Sequence, residues 1–377
     1  MEYILIGLFF ILLFIFSYYF RVSYVFFSIF LAIILGIAFI YLFKENSNIV
    51  FFNNIKSNLS FFYDNAFIFL FFYLGLGYSF NKIYKILMKS LIPSLLDLVN
   101  LVVSFVLFFL ILKDFFISLV LSLVIYPSST AIIVKKLENY KLLYSKQADF
   151  LLGVLLFEDF VLIVILSFIS IKNFNLYLFL VGAILFLIII IFLLNIFEKY
   201  KKNIELILNS DLGIFLVIGI VLFFTWLFYK VFYLPYFISS FVLGISINQY
   251  LADKVRSKID GFKDLALFSF MFLFFLDSIM KEKTLIFYDY HILFILIFLL
   301  FLKLLTTYIG AKNFGISSKN LNFVSILSLI RGEFSIIAIS FIPKYFTLAL
   351  IVVILTNLLA TFSLNLFIFR DRKIVKK

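Results

Sequence analysis

Apolar runs of about twenty residues recur along this 377-residue chain, separated by short polar loops. Each run can cross about 30 Å of hydrocarbon as a helix, which rises about 1.5 Å per residue. Hydrophobic residues make up 65% of the sequence and charged ones 14%. A water-soluble domain has no means of burying that much apolar surface, whereas a bilayer accepts it. Lipid offers backbone groups no hydrogen bonds, so runs of this length span as helices. The expectation is an all-α polytopic membrane protein.

Thirteen spans are expected, at roughly 3–20, 24–43, 65–80, 91–112, 115–137, 148–171, 176–197, 212–232, 234–250, 264–280, 288–311, 321–341 and 345–369. The first starts at Tyr3 with no basic leader and no small-residue cleavage site, so it is expected to remain as a spanning helix. The eight residues after Phe369 form a short tail, 370–377, expected to hold no nucleotide-binding module. Cysteine is absent, which removes disulfides, iron–sulfur clusters and thiol catalysis. The one histidine, His291, falls at a predicted helix end, where an interfacial role is expected.

The formal net charge of +12 raises the question of nucleic acid, and its distribution answers it. Of the lysines and arginines, twenty-two fall on one set of alternate loops and in the tail, eight on the other set, and two inside spans. Cytoplasmic loops carry such an excess, so the N-terminus is expected outside and the C-terminus in the cytoplasm. No nucleic-acid partner is expected. Thirteen spans also divide as six, a linker at 176–197, and six more of opposite orientation, the inverted repeat of many secondary transporters. IILGIAF (33–39) and FVLGISI (241–247) echo each other at the second place of each set.

Residues 153–166 read GVLLFEDFVLIVIL, with Glu158 and Asp159 adjacent inside an apolar run. Ionisable groups at membrane depth cost about 2.5–3.5 kcal/mol each on insertion, and those present tend to act. The others at comparable depth are Lys303, Arg331 and Glu333, while Asp97 and Asp277 lie nearer span ends. Buried ion pairs can also simply fasten helices together; five central charges on three helices favour a functional use. Neighbours on a helix point about 100° apart, so Glu158 and Asp159 have different tasks. A carboxyl held between burial, a second carboxyl and a lysine can exchange a proton for a small cation.

Two spans look interrupted. YPSSTAIIVKKL (126–137) places Pro127 beside Ser128, Ser129 and Thr130, and SLIRGEFSIIA (328–338) breaks its apolar run with Arg-Gly-Glu. Proline removes a helix hydrogen bond and frees carbonyls. Such a site is either an ordinary kink or a cation-ligating break. Both spans are fifth in their set of six, which favours the second reading. Asp97 and Asn100 share a helical face, with their role left open. Asn357 is expected to serve polar packing between helices. The glycines of YLGLGYSF lack the third member of a dinucleotide fingerprint.

Together these motifs resemble the monovalent cation:proton antiporters of the Kef-like and NapA-like branch, across essentially the whole membrane part. SSTAIIVKKL resembles the branch's broken-helix motif and GVLLFED its ion-binding helix. FLKLLTTYIGAKNFGIS with SLIRGEFSIIAIS resembles its lysine helix and second broken helix. The resemblance implies a NapA/NhaA-like antiporter fold with two crossing broken helices, and a homodimer. Its dimerisation part would comprise 1–80 and 212–281, and its mobile ion-binding core 88–171 and 288–369. It implies that Asp159 binds cation and proton in turn, with Thr130, Ser129 and Ser128 beside the ion. Glu158 stands where NapA-like members have Asp and Kef-like members Gln, and Lys303 matches the lysine that pairs with that acid.

The expected function is therefore secondary antiport of H⁺ against Na⁺ or K⁺ in the plasma membrane, in contact with lipid. No cofactor is expected, and no metal other than the monovalent cation at Asp159. A gated potassium efflux system or channel is the alternative, and a non-transporting membrane receptor the next. An enzyme is not expected, because no hydrolytic constellation is present. Nucleotide control of the kind found on Kef-like members would need a separate regulatory subunit.

Overall fold

The computed structural model describes residues 45–78, 80–142, 145–170, 199–210, 212–232, 234–282 and 290–375, with Ala32 and six residues between 182 and 189. The spans expected at 3–20, 24–43 and 176–197 lie essentially outside the described residues, as does the side chain of His291. Among the described residues the chain is helical, with no strand. Five helices there are long and apolar enough to cross a membrane: Met88–Leu112, Lys146–Ile169, Gly213–Val231, Phe294–Asn313 and Pro343–Ala360.

The chain forms two compact units, one from residues 1–82 and 163–283, the other from 83–162 and 284–377. The first contains α1 (Glu45–Leu76), and also α6 (Lys201–Leu208) and α7 (Gly213–Phe232). To these it adds α8 (Tyr236–Ile247) and α9 (Asp253–Glu282). Its α1 lies along both α8 and α9. The close approach depends on two glycines. A Cβ at Gly75 would overlap the Phe241 carbonyl, and one at Gly244 would sit 2.9 Å from Gly75 Cα. Aromatic edges close the rest, with Phe67 against Phe270 at 4.7 Å and Phe71 against Phe237 at 5.0 Å.

The second unit contains α2 (Phe80–Leu112), then α3 (Phe115–Ile125) and α4 (Thr130–Asn139). It also holds the first two-thirds of α5 (Lys146–Ser170). Its later part is α10 (Tyr290–Asn313) and α11 (Ser318–Leu327), then α12 (Glu333–Ile339) and α13 (Phe346–Val375). Asp114 caps α3, accepting from the Ile117 amide at 2.8 Å. Leu151 and Val154 of α5, Val324 and Leu327 of α11 and Ile133 of α4 belong to one buried apolar cluster. Small contacts let the helices close in: a Cβ at Gly310 of α10 would be 3.4 Å from Pro93 of α2.

Several helices start well before their apolar runs. Helix α1 starts at Glu45 rather than near 65, α2 at Phe80 rather than 91, and α9 at Asp253 rather than 264. Hydropathy marks only the greasy part of a helix. Once nucleated, a helix adds one backbone hydrogen bond per residue, whatever the side chain's polarity.

Candidate functional site

Two helices of the second unit are interrupted, and the interruptions face each other. Between α3 and α4 the chain leaves helical geometry over 126–129, where Pro127 has no amide to donate. Between α11 and α12 it does so over 328–332. The Ser129 amide donates to the Ile330 carbonyl at 2.8 Å, and the Ser128 hydroxyl lies 2.8 Å from the Ser328 carbonyl. Gly332 permits this approach: a Cβ there would stand 2.7 Å from Ser129 Cβ.

A break leaves buried backbone groups that must find partners. Arg331, fully buried, supplies many of them. Its Nε donates to the Ile125 carbonyl at the end of α3, and its Nη1 to the Ser328 carbonyl at the end of α11, at 2.7 Å. One cation thus caps the negative ends of two helices. The Arg331 carbonyl accepts from Asn357 of α13 at 2.8 Å, and its amide donates to Thr356 Oγ1 at 3.3 Å. Asn357 is therefore a support for the second break.

Glu158 and Asp159 lie near the middle of α5, 1% and 0% exposed. They point in different directions, as the helical step requires. Glu158 Oε2 accepts from the Ser128 amide, which the break at Pro127 has released. Its Oε1 meets Lys303 Nζ of α10 at 2.7 Å. Asp159 Oδ2 accepts from Thr130 Oγ1, the first residue of α4, at 3.2 Å. Asp159 Oδ1 is buried and has no hydrogen-bond partner among the described residues. Ser129 Oγ lies 3.3 Å from Glu333 Oε2, at the start of α12.

Lys303 has a second carboxylate that the sequence left unassigned. Asp97 of α2 places both oxygens against its ammonium, at 2.7 and 2.8 Å. The Tyr126 carbonyl lies 3.4 Å away and the Tyr126 ring 5.3 Å. Asn100 ties the pair together, its amide nitrogen 3.0 Å from Asp97 Oδ1 and 2.7 Å from Thr306 Oγ1 on the lysine helix. The signal was present: Asp97 and Asn100 at i, i+3 on one helix, Lys303 and Thr306 at i, i+3 on another. Only their meeting was not legible. Asp277, by contrast, belongs to α9 in the other unit.

The formal charges do not balance. Asp97, Glu158, Asp159 and Glu333 are four buried carboxyl groups, against two buried cations, Lys303 and Arg331. Isolated charge in such surroundings costs several kcal/mol per ion, so a surplus of anions draws in protons or cations. The charge-poor position is Asp159, whose one side-chain hydrogen bond among the described residues comes from a neutral hydroxyl. Hydroxyl and carboxylate oxygens are the donor set that alkali cations take.

Comparison with known proteins agrees with this chemistry. The sequence profile of the family described as "Sodium/hydrogen exchanger, transmembrane" matches residues 4–370. A curated relative, the "Ammonium/H(+) antiporter subunit AmhT" of Alkalihalophilus pseudofirmus (strain ATCC BAA-2126 / JCM 17055 / OF4), is 27% identical over 285 residues. The match covers 72% of this chain and 71% of the relative.

Proposed function

Since the chain belongs to the sodium/hydrogen exchanger family and is a multi-pass membrane protein, we propose that it exchanges protons for a monovalent cation by alternating access, with Asp159 binding each in turn. The observation that carries this reading is the state of Asp159: fully buried, held by Thr130 on one oxygen and, among the described residues, without a hydrogen-bond partner on the other. Such a carboxyl is stable when it holds a proton or a cation, and the two compete for the same oxygens. Competition at one buried group is what couples the two fluxes. Glu158 is its electrostatic partner, and the Glu158–Lys303 pair loosens as the cation enters. Ser128, Ser129 and Thr130 line the approach, while Arg331 and Glu333 set the charge at the breaks.

Na⁺ and K⁺ are the cations proposed. The relative is described as an ammonium/H⁺ antiporter subunit, which adds NH₄⁺, an ion with the charge of K⁺ and a similar size. The wider reading has thirteen spans in two inverted sets of six, a homodimer, the plasma membrane, an outside N-terminus and a cytoplasmic C-terminus. Two features support it: paired breaks at corresponding places in the chain, and two compact units each assembled from two separate stretches of sequence. The relative's description as a subunit supports a separate partner subunit, and regulation is the role proposed for it.

The test is proton flux in proteoliposomes loaded with a pH dye and given Na⁺, K⁺ or Li⁺. A cation-driven pH change in the wild type, abolished in Asp159→Asn, is the expected result and identifies the ion. Cation flux that ignores the proton gradient would replace antiport with a gated channel.

A further inference from the structure

Asp97 has no task in the exchange step, yet it is built as firmly as any residue of the site. It is 1% exposed and meets Lys303 through both oxygens, whereas Glu158 offers that ammonium a single oxygen. Asn100, on its own helix, donates to it, and the same amide is held by Thr306 of the lysine helix. Lys303 is therefore a shared cation with a two-oxygen seat on α2 and a one-oxygen seat on α5.

We propose that Asp97 is a positioning residue: it keeps Lys303 seated while Glu158 turns from the lysine to the incoming cation. The inference rests on the antiport reading above. An ammonium has three donors, and breaking a buried pair by taking one partner away is strongly unfavourable. If Glu158 were the lysine's only anion, drawing it towards a cation would strand a buried ammonium. With Asp97 in place, release of Glu158 leaves Lys303 matched one to one by Asp97. Glu158 then joins Asp159, its neighbour in the chain, as a second carboxylate for the cation. Asp97 acts through Lys303 and does not itself touch the ion.

The test is cation-dependent proton flux for wild type, Asp97→Asn and Asn100→Ala, read as KM and kcat separately. In Asp97→Asn, Glu158 is the lysine's sole carboxylate. The cation KM should rise about ten-fold or more, with kcat kept within about three-fold, the pattern of lost binding rather than lost chemistry. Asn100→Ala keeps the carboxylate but loosens it, and its KM should rise about three-fold. It carries the test alone if Asp97→Asn does not fold. A kcat that falls at unchanged KM in these variants would make Asp97 a structural residue and overturn the inference. Absence of cation-driven flux in the wild type would overturn the antiport reading, and this inference with it.

Discussion

Thr130 gives its hydroxyl to one oxygen of Asp159 at 3.2 Å, and the other oxygen of that carboxylate is buried without a hydrogen-bond partner among the described residues. The threonine stands at the first position of α4, where the helix resumes after the break, so the backbone itself aims the hydroxyl at the acid. A hydrogen bond of this kind contributes about 0.5–1.5 kcal/mol, or as much as about ten-fold in affinity. Thr130→Val, which keeps the shape and removes the hydroxyl, should raise the cation KM by roughly three- to ten-fold. Measured flux against cation concentration checks this.

Lys303 and its two carboxylates form a unit whose members are worth more together than apart. Lys303→Met leaves Asp97 and Glu158 as buried anions and should destabilise the protein by about 3–5 kcal/mol. Adding Asp97→Asn to Lys303→Met removes one of the stranded charges and should recover part of that loss. Thermal melting of the single and double variants in detergent measures the coupling, expected at about 0.5–3 kcal/mol. Simple additivity would show that Lys303 and Asp97 do not interact energetically.

Arg331 reaches the Ile125 and Ser328 carbonyls with separate nitrogens of one planar group. Lysine keeps the charge but offers a compact ammonium in place of that fork. Arg331→Lys should lower the melting temperature and reduce flux, at a cost of about 1–3 kcal/mol for each carbonyl left unsatisfied. Equal stability of the variant would show that charge alone suffices at the breaks.

Gly332 packs against the opposite break, and an added Cβ would meet Ser129 Oγ at 2.5 Å. Gly332→Ala should therefore separate the breaks and weaken the Ser129–Ile330 bond, at about 1–3 kcal/mol. Gly219, whose added Cβ would meet nothing within 4 Å, is the control, and Gly219→Ala should melt at the wild-type temperature or slightly above. The ordering of the two melting temperatures is the measurement.

Much of this was readable from the chain because each signal was local. Pro127 marks its own break, Arg-Gly-Glu marks the other, and two acids in an apolar run announce a cost that function must justify. Non-local features were harder. Nothing near Asp97 in sequence points to Lys303, 206 residues away, because the pairing depends on how α2 and α10 pack. Asn357 likewise reads as ordinary packing until the Arg331 carbonyl is placed beside it. Helix starts were missed for a different reason. The early turns of α1, α2 and α9 are polar, and hydropathy marks only the apolar parts of helices. Gly244 stands in the sequence only as part of an echo of 33–39, and its physical use, a close helix contact with Gly75 within one unit, depends on packing the sequence does not display.

The most direct test of competition at Asp159 counts protons. Calorimetric titration of the purified protein with Na⁺, K⁺ or NH₄⁺, repeated in buffers of different ionisation enthalpy, gives the protons released per cation bound. If cation and proton alternate at Asp159, binding of the transported cation releases protons in the wild type, and Asp159→Asn loses both the binding and the release. Cation binding that releases no proton, or that persists unchanged in Asp159→Asn, would contradict the account.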